Sequence, residues 1–226
     1  MKTYRVNEIF YSLQGEGVRA GTAALFLRFS GCNLQCRLET HGFDCDTEFA
    51  SGRSLTIEQI ITELHEAERR KGNGFVLYEA LAGPFRQDDP APFAPPHRCE
   101  WVVLTGGEPA LQVDRDLIDA LHAAGFKLAI ETNGSIELPD GLDWITVSPK
   151  VAEHAIRQRT ANEVKYVRAY GQAIPKTVVK AEHKLISPAF RGDRLEPRTL
   201  AWCIQLVKDN PDWRLSVQQH KYWQVR

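Results

Sequence analysis

The sequence predicts an α/β fold: a parallel sheet with right-handed crossovers, either open or curled into a partial barrel. Two observations predict it. Short apolar runs of strand length alternate with longer stretches whose apolar residues recur every three or four positions, the pattern of successive βα units. Polar, glycine-rich segments follow directly on the apolar runs: "SGC" after Phe29, "TGGEP" after Leu104, "ETNG" after Ile130, "SPK" after Val147 and "QQHK" after Val217. In parallel sheets ligands collect at the carboxyl ends of the strands, so these loops converge on one functional rim.

The elements follow in order. Ala24 to Phe29 is the first strand. Thr56 to about Lys71 is a helix with Ile57, Ile60, Ile61, Leu64 and Ala67 on one stripe, opened by a Thr56/Gln59 capping box. Trp101 to Thr105 is a strand, and a helix around Asp116 to Ala124 presents Leu117, Ile118, Leu121 and Ala124. Lys127 to Glu131, Trp144 to Val147, Val178 to Ile186 with a break, and Arg214 to Gln218 supply further strands. Thr199 to Lys208 is a helix between the last two. The segment 72–100 departs from this rhythm, because Pro84, Pro90, Pro92, Pro95 and Pro96 are incompatible with a helix interior or a central strand. It reads as an extended surface insertion within one domain spanning 1–226.

Composition bounds the function. Of the 226 residues, 43% are hydrophobic and 25% charged, which are globular values that exclude disordered and fibrous classes. A formal net charge of -1 gives no electrostatic reason to expect a nucleic acid or an anionic membrane as partner, and suits a small or zwitterionic ligand better. No apolar run approaches a membrane span and the start "MKTYRVNEIF" has no secretory layout, so a cytoplasmic protein is expected. In that reducing compartment five cysteines form no disulfide framework. Cys99, beside a strand, and Cys203, inside the last helix, read as buried thiols.

Cys32, Cys36 and Cys45 remain, in the pattern C-x3-C-x8-C. Structural zinc needs a fourth protein ligand, for which His41 is available, yet the paired C-x2-C or H-x3-H spacing typical of such sites does not occur here. Soft sulfur also suits an iron-sulfur cluster, and three cysteines on a four-iron cube leave one iron open to a substrate or cofactor.

Cysteines on the loop after the first strand, followed by "GGEP" after a later one, resemble the radical S-adenosylmethionine (SAM) superfamily. Within it "LQGEG" at 13–17, "FLRFSGCN" at 26–33, "CDT" at 45–47, "LTGGEP" at 104–109, "ETNG" at 131–134, "VSPK" at 147–150 and "LSVQQHK" near the end are similar to the 7-carboxy-7-deazaguanine synthase family. The match runs from about residue 6 to the last residues and lapses in the insertion. It departs from the superfamily's usual C-x3-C-x2-C in the widened second gap.

The resemblance implies an incomplete TIM-like βα barrel of radical SAM type. It implies a 4Fe-4S cluster on Cys32, Cys36 and Cys45, and SAM held by Phe43, Gly106, Gly107, Glu108, Asn133, Ser148, Pro149 and Lys150. Glu108 would accept from the SAM ammonium, and Mg2+ would be bound by Thr47. The implied substrate is 6-carboxy-5,6,7,8-tetrahydropterin, bound by Leu13, Gln14, Gly15, Glu16, Arg28, Thr105, Lys184, Gln219 and His220. Gln14 carries both amide functions, Glu16 is an acceptor, and Arg28 offers a planar fork for a carboxylate, with an outer-face salt bridge as its alternative. Also implied are a homodimer, a flavodoxin or ferredoxin-like electron donor, and a product used in 7-deazapurine and queuosine biosynthesis. Another small radical SAM enzyme, such as a glycyl-radical activase, and a non-catalytic zinc-binding module are the competing readings.

Overall fold

The computed structural model describes residues 1–43, 45, 48–69 and 98–225. The proline-rich insertion therefore lies outside the described residues except for 98–100, and Thr47 lies outside them too.

Eleven strands are described: β1 Tyr4–Leu13, β2 Ala23–Phe29, β3 Arg53–Leu55, β4 Trp101–Gly106, β5 Lys127–Thr132, β6 Trp144–Val147, β7 Thr160–Arg168, β8 Lys180–Pro188, β9 Phe190–Arg191, β10 Arg194–Leu195 and β11 Arg214–Leu215. Nine form one open sheet in the order β11-β8-β7-β6-β5-β4-β2-β1-β3, while β9 and β10 make a separate hairpin. From β11 through β2 every neighbour is parallel; β1 and β3 extend the edge antiparallel. The parallel, unclosed sheet is the expected one. The antiparallel edge was not expected, and neither was β7.

Alternation sorts the side chains onto two faces. Leu25, Leu27, Phe29, Val102, Leu104, Leu128 and Ile130 are buried on one face against the helices α2 (Ile57–Arg69) and α3 (Arg115–Ala123). The Thr56/Gln59 capping box forms as the sequence predicts, with Thr56 N donating to Gln59 Oε1 at 2.9 Å and Gln59 N to Thr56 Oγ1 at 3.4 Å. Asp114 caps α3 by accepting from Leu117 N at 3.0 Å, and it also accepts from the Tyr4 hydroxyl, which ties β1 to that helix. Farther along, Val164, Tyr166 and Ile186 pack with Cys203 and Trp213 beneath α4 (Pro197–Asp209). Cys99 and Cys203 are buried, as expected, and none of the five cysteines is in a disulfide.

The opposite face has a small apolar floor of Phe10, Ala24, Phe26, Val103 and Ala129, with Trp101 and Trp144 against it. Strand parity sets Arg28, Thr105, Glu131, Glu163 and Lys165 around that floor. No helix among the described residues is long and apolar enough to cross a membrane.

Leu27 is fully buried in a central strand between the sheet and its helices. Leu27→Ala is expected to cost ~2–5 kcal/mol, read as a lower urea midpoint with an unchanged m-value.

Candidate active site

The rim above the carboxyl ends of β2, β4, β5 and β6 is fastened together by hydrogen bonds. Gly107 N donates to Phe29 O at 3.1 Å and Glu108 N to Gly31 O at 2.9 Å. A Cβ at Gly107 would stand 2.0 Å from Gly31 O and 3.1 Å from Cys32 Cβ, and one at Gly106 would stand 2.2 Å from Phe29 O. The glycine pair is therefore required for the backbone after β4 to press against the cysteine loop. Asn133 Nδ2 donates to Asn33 Oδ1 at 3.1 Å, joining the loop after β5 to the same cysteine loop.

Beneath this rim lies a cavity of about 340 Å3 lined by Cys32, Cys36, Cys45, Phe43, Gly106, Gly107, Asn133, Ser148 and Lys150. Lys150 donates to Ser148 Oγ at 2.7 Å and sits 5.1 Å from the Phe43 ring centre, an arrangement that brings the loop after β6 onto the cysteine loop. Burial is the main influence raising the Cys32 thiol pKa; Glu108 and Cys45 add to it, while the N–H of Leu34 opposes it. Among the described residues no three His, Cys, Asp or Glu side chains converge as a ready-made metal site. The donor set nonetheless suits an iron-sulfur cluster, because three thiols open onto one cavity. His41 does not line the cavity, and its Nδ1 contacts the Thr40 hydroxyl at 2.7 Å.

Two residues predicted for SAM are placed away from the cavity. Glu108 is fully buried, accepting from Thr132 Oγ1 at 2.7 Å, Asn133 N at 2.7 Å and Ala110 N at 3.0 Å. With these donors around its carboxylate, it braces the rim. Pro149 is buried and shapes the loop without lining the cavity.

A second cavity, of about 670 Å3, adjoins the first: Glu16, Thr105, Glu131, Lys165, Gly192, Gln218 and Lys221 line both. Leu13, Gln14, Gly15, Arg28 and His220 complete the predicted residues that line it. Arg28 Nε lies 3.1 Å from Glu8 Oε1, an ionic contact rather than an aligned hydrogen bond, so the residue has an acidic neighbour and still borders the cavity.

Lys184 and Gln219 do not belong to this lining. Register pairs Lys184 with Val164 on the helix-covered face, where its ammonium meets Asp212 at 2.9 Å beside Trp213. Gln219 begins a short helix, α5 (Gln219–Trp223), and contributes its backbone N–H to Gly15 O at 2.9 Å; the preceding Gln218 lines the cavity instead.

The sequence reading missed Lys165, Glu131 and Glu163. Lys165 Nζ is 2.7 Å from Glu16 Oε2 and 3.2 Å from Glu131 Oε2. Glu163 accepts from Val18 N at 2.9 Å and Trp144 Nε1 at 2.6 Å. Burial pushes Glu16 upward, but Lys165, Gln218 and His220 outweigh it and hold the carboxyl at about 2. Glu131 is raised, burial being the main cause and Lys165 the main opposition. Burial lowers Lys165, yet its three carboxylate neighbours leave it raised overall.

A mostly parallel open sheet with three thiols on the loop after one strand and a glycine pair after its neighbour is the arrangement of a radical SAM enzyme. Comparison with known proteins narrows this. No family model matches the chain. The 7-carboxy-7-deazaguanine synthase of Nitratidesulfovibrio vulgaris is 40% identical, covering 97% of this chain and 98% of that protein. That of Burkholderia multivorans is 40% identical, covering 99% of each, and that of Bacteroides thetaiotaomicron 37% identical, covering 98% of each. A crystal structure of QueE from Escherichia coli shares the fold with a TM-score of 0.64 at 23% identity, covering 96% of this chain and 95% of that one. The chain belongs to the 7-carboxy-7-deazaguanine synthase family.

Two outcomes test this geometry. A Cβ on Gly15 would stand 2.1 Å from His220 Nδ1, so Gly15→Ala is expected to loosen α5 and cost ~1–3 kcal/mol, with Gly15→Ala/His220→Ala recovering part of the loss in thermal melts. Glu16 titrates at about 2 in the fold against an ordinary 4.5. Between those values the unfolded chain takes up a proton that the folded chain refuses, so this contribution to stability is present above the ordinary value and lost as pH falls. Glu16→Gln is expected to flatten the acid limb of stability against pH.

Proposed function

We propose that the protein converts 6-carboxy-5,6,7,8-tetrahydropterin to 7-carboxy-7-deazaguanine by hydrogen abstraction, ring contraction and loss of ammonia, for 7-deazapurine and queuosine biosynthesis. The observation that carries this reading is the shared wall of the two cavities. A compartment lined by three thiols shares Glu16 and Thr105 with one lined by Gln14 and Arg28, which suits radical generation beside a polar heterocycle.

In this reading Cys32, Cys36 and Cys45 hold a 4Fe-4S cluster, and Gly106, Gly107, Asn133, Ser148, Lys150 and Phe43 surround SAM. Together those groups supply a carbon-centred radical that removes a hydrogen atom. The chain's own residues orient the substrate and exclude water. Arg28 offers its guanidinium to the substrate carboxylate, and the Glu8 contact beside it fixes the fork. Gln14 and Glu16 meet the donor and acceptor edge of the ring, with Leu13 and Gly15 forming the floor of their loop and the Thr105 hydroxyl beside it. His220 closes the far side over Gly15.

Mg2+, a hard cation that prefers oxygen, completes the reading through Thr47 and the substrate carboxylate. A flavodoxin or ferredoxin-like donor, a homodimer and a cytoplasmic location accompany it as properties expected of the family.

Anaerobically reconstituted protein supplied with SAM, reductant, Mg2+ and the carboxypterin is expected to release the deazapurine, more slowly when Mg2+ is omitted. Replacing Cys32, Cys36 or Cys45 by alanine is expected to abolish cluster absorbance and turnover, while Cys99→Ala keeps its iron. Absence of product from protein with a full cluster, or full activity in Cys45→Ala, would overturn the assignment.

A further inference from the structure

We propose that Lys165 is a positioning residue for the substrate: it holds Glu16 and Glu131 together as a paired acceptor in the wall between the two cavities, and so selects a heterocycle presenting adjacent N–H donors. The proposal rests on the functional reading above and adds a residue and a recognition mode to it.

The geometry is symmetrical about the ammonium. Glu16 Oε2 accepts from Lys165 Nζ at 2.7 Å and its Oε1 from Gln218 Nε2 at 2.9 Å. Glu131 Oε2 accepts from Lys165 Nζ at 3.2 Å and its Oε1 from Gln14 Nε2 at 3.3 Å. Every carboxylate oxygen is thus oriented by one protein donor and retains a second lone pair, while Lys165 retains a third N–H. All five side chains line the larger cavity, and Glu16, Glu131, Lys165 and Gln218 line the smaller one too, so this buried network faces ligand space rather than apolar core. Its unused capacity, acceptors beside one donor, complements the edge of a 2-amino-4-oxo pyrimidine ring.

Two carboxylates this close do not both stay ionised without a cation between them. Other charges face the pair: Glu163 from the same strand as Lys165, Arg19 from the β1–β2 loop and His220 from α5. Glu163 is occupied by Val18 N and Trp144 Nε1, and Arg19 stacks on Trp101 at 3.5 Å. Lys165 is the cation in contact with both acids.

The test measures the dissociation constant of the carboxypterin for cluster-reconstituted protein with SAM and Mg2+ but no reductant, from about pH 5 to 8. Wild type is expected to bind with little pH dependence. Lys165→Met is expected to bind roughly tenfold to a hundredfold more weakly, and to weaken further as pH falls, because the uncompensated acids take up a proton and lose an acceptor. Lys165→Met/Glu131→Gln removes the clash, so its binding is expected to stay weak but become independent of pH. Affinity within about twofold of wild type and a flat profile in Lys165→Met overturn the proposal. Should Lys165→Met not fold, wild-type affinity in the double variant overturns it equally. Failure of wild type to bind any carboxypterin sinks the functional reading instead. The network is then judged on ligand-free protein, where Lys165→Met is expected to lose stability with rising pH relative to wild type, and an unchanged profile refutes it.

Discussion

An ammonium ion buried in the middle of a sheet is costly to desolvate, and it persists only where carboxylates and further hydrogen bonds surround it. Lys165 on β7 meets that condition by drawing in the β1–β2 loop through Glu16 and strand β5 of the same sheet through Glu131. The amides of Gln14 and Gln218 then hold the far oxygens of those acids, so the start of the chain and its C-terminal segment are fixed by the same charge. Glu163, two residues earlier on β7, anchors the next part of the β1–β2 loop through Val18 N. These contacts hold the loop across the open face. Both cavities owe their shared wall to that constraint.

The rim depends on a different kind of economy, backbone against backbone. Gly107 pressed to Gly31, and Glu108 accepting from Thr132, Asn133 and Ala110, weld the loops after β2, β4 and β5 into one collar. A carboxylate spent on bracing is expensive to bury, as its raised pKa records, but three donors offset much of that cost. What it obtains is a fixed position for Cys32 relative to the glycine pair. The site thus combines a rigid collar with a charged wall.

Much of this was legible in the sequence, and each failure has a physical cause. Helices α2 and α3 and strands β2, β4, β5 and β6 carry apolar residues at regular spacing, because one face of each packs on a core. Strand β7, "TANEVKYVR", hides from the same reading, since Glu163 and Lys165 occupy positions on the face away from the helices. The residues that make it functional break the apolar rhythm that would have announced it as a strand. The strand and the buried lysine were therefore missed together. Lys184 erred in the opposite sense: its motif was recognised, but the face of β8 it occupies is set by register with β7, which only the folded sheet reveals. At the end of the chain the expected strand shrinks to Arg214–Leu215 and a helical turn begins at Gln219, shifting the cavity residue by one position to Gln218.

The widened gap between Cys36 and Cys45 has a physical account in the same terms. Four of the intervening residues wind into a helical turn, α1 (Leu38–His41), closed by Gly42 at φ 83 donating to Leu38 O at 2.9 Å. That turn does not hang free. Gln172, on the loop after β7, donates to His41 O at 3.3 Å and would meet a Cβ on Gly42 at 2.7 Å, so the turn rests directly on that loop. Phe43 then turns inward beneath Lys150, returning the chain to the cavity before Cys45. Lengthening a loop costs little entropy when its ends stay put, and the docked turn recovers part of that cost through contacts. The spacing of thiols along the chain is thus free to vary, provided the turn between them finds a surface to lie on; here the β7–β8 loop is that surface, and it is carried by the strand that holds Lys165.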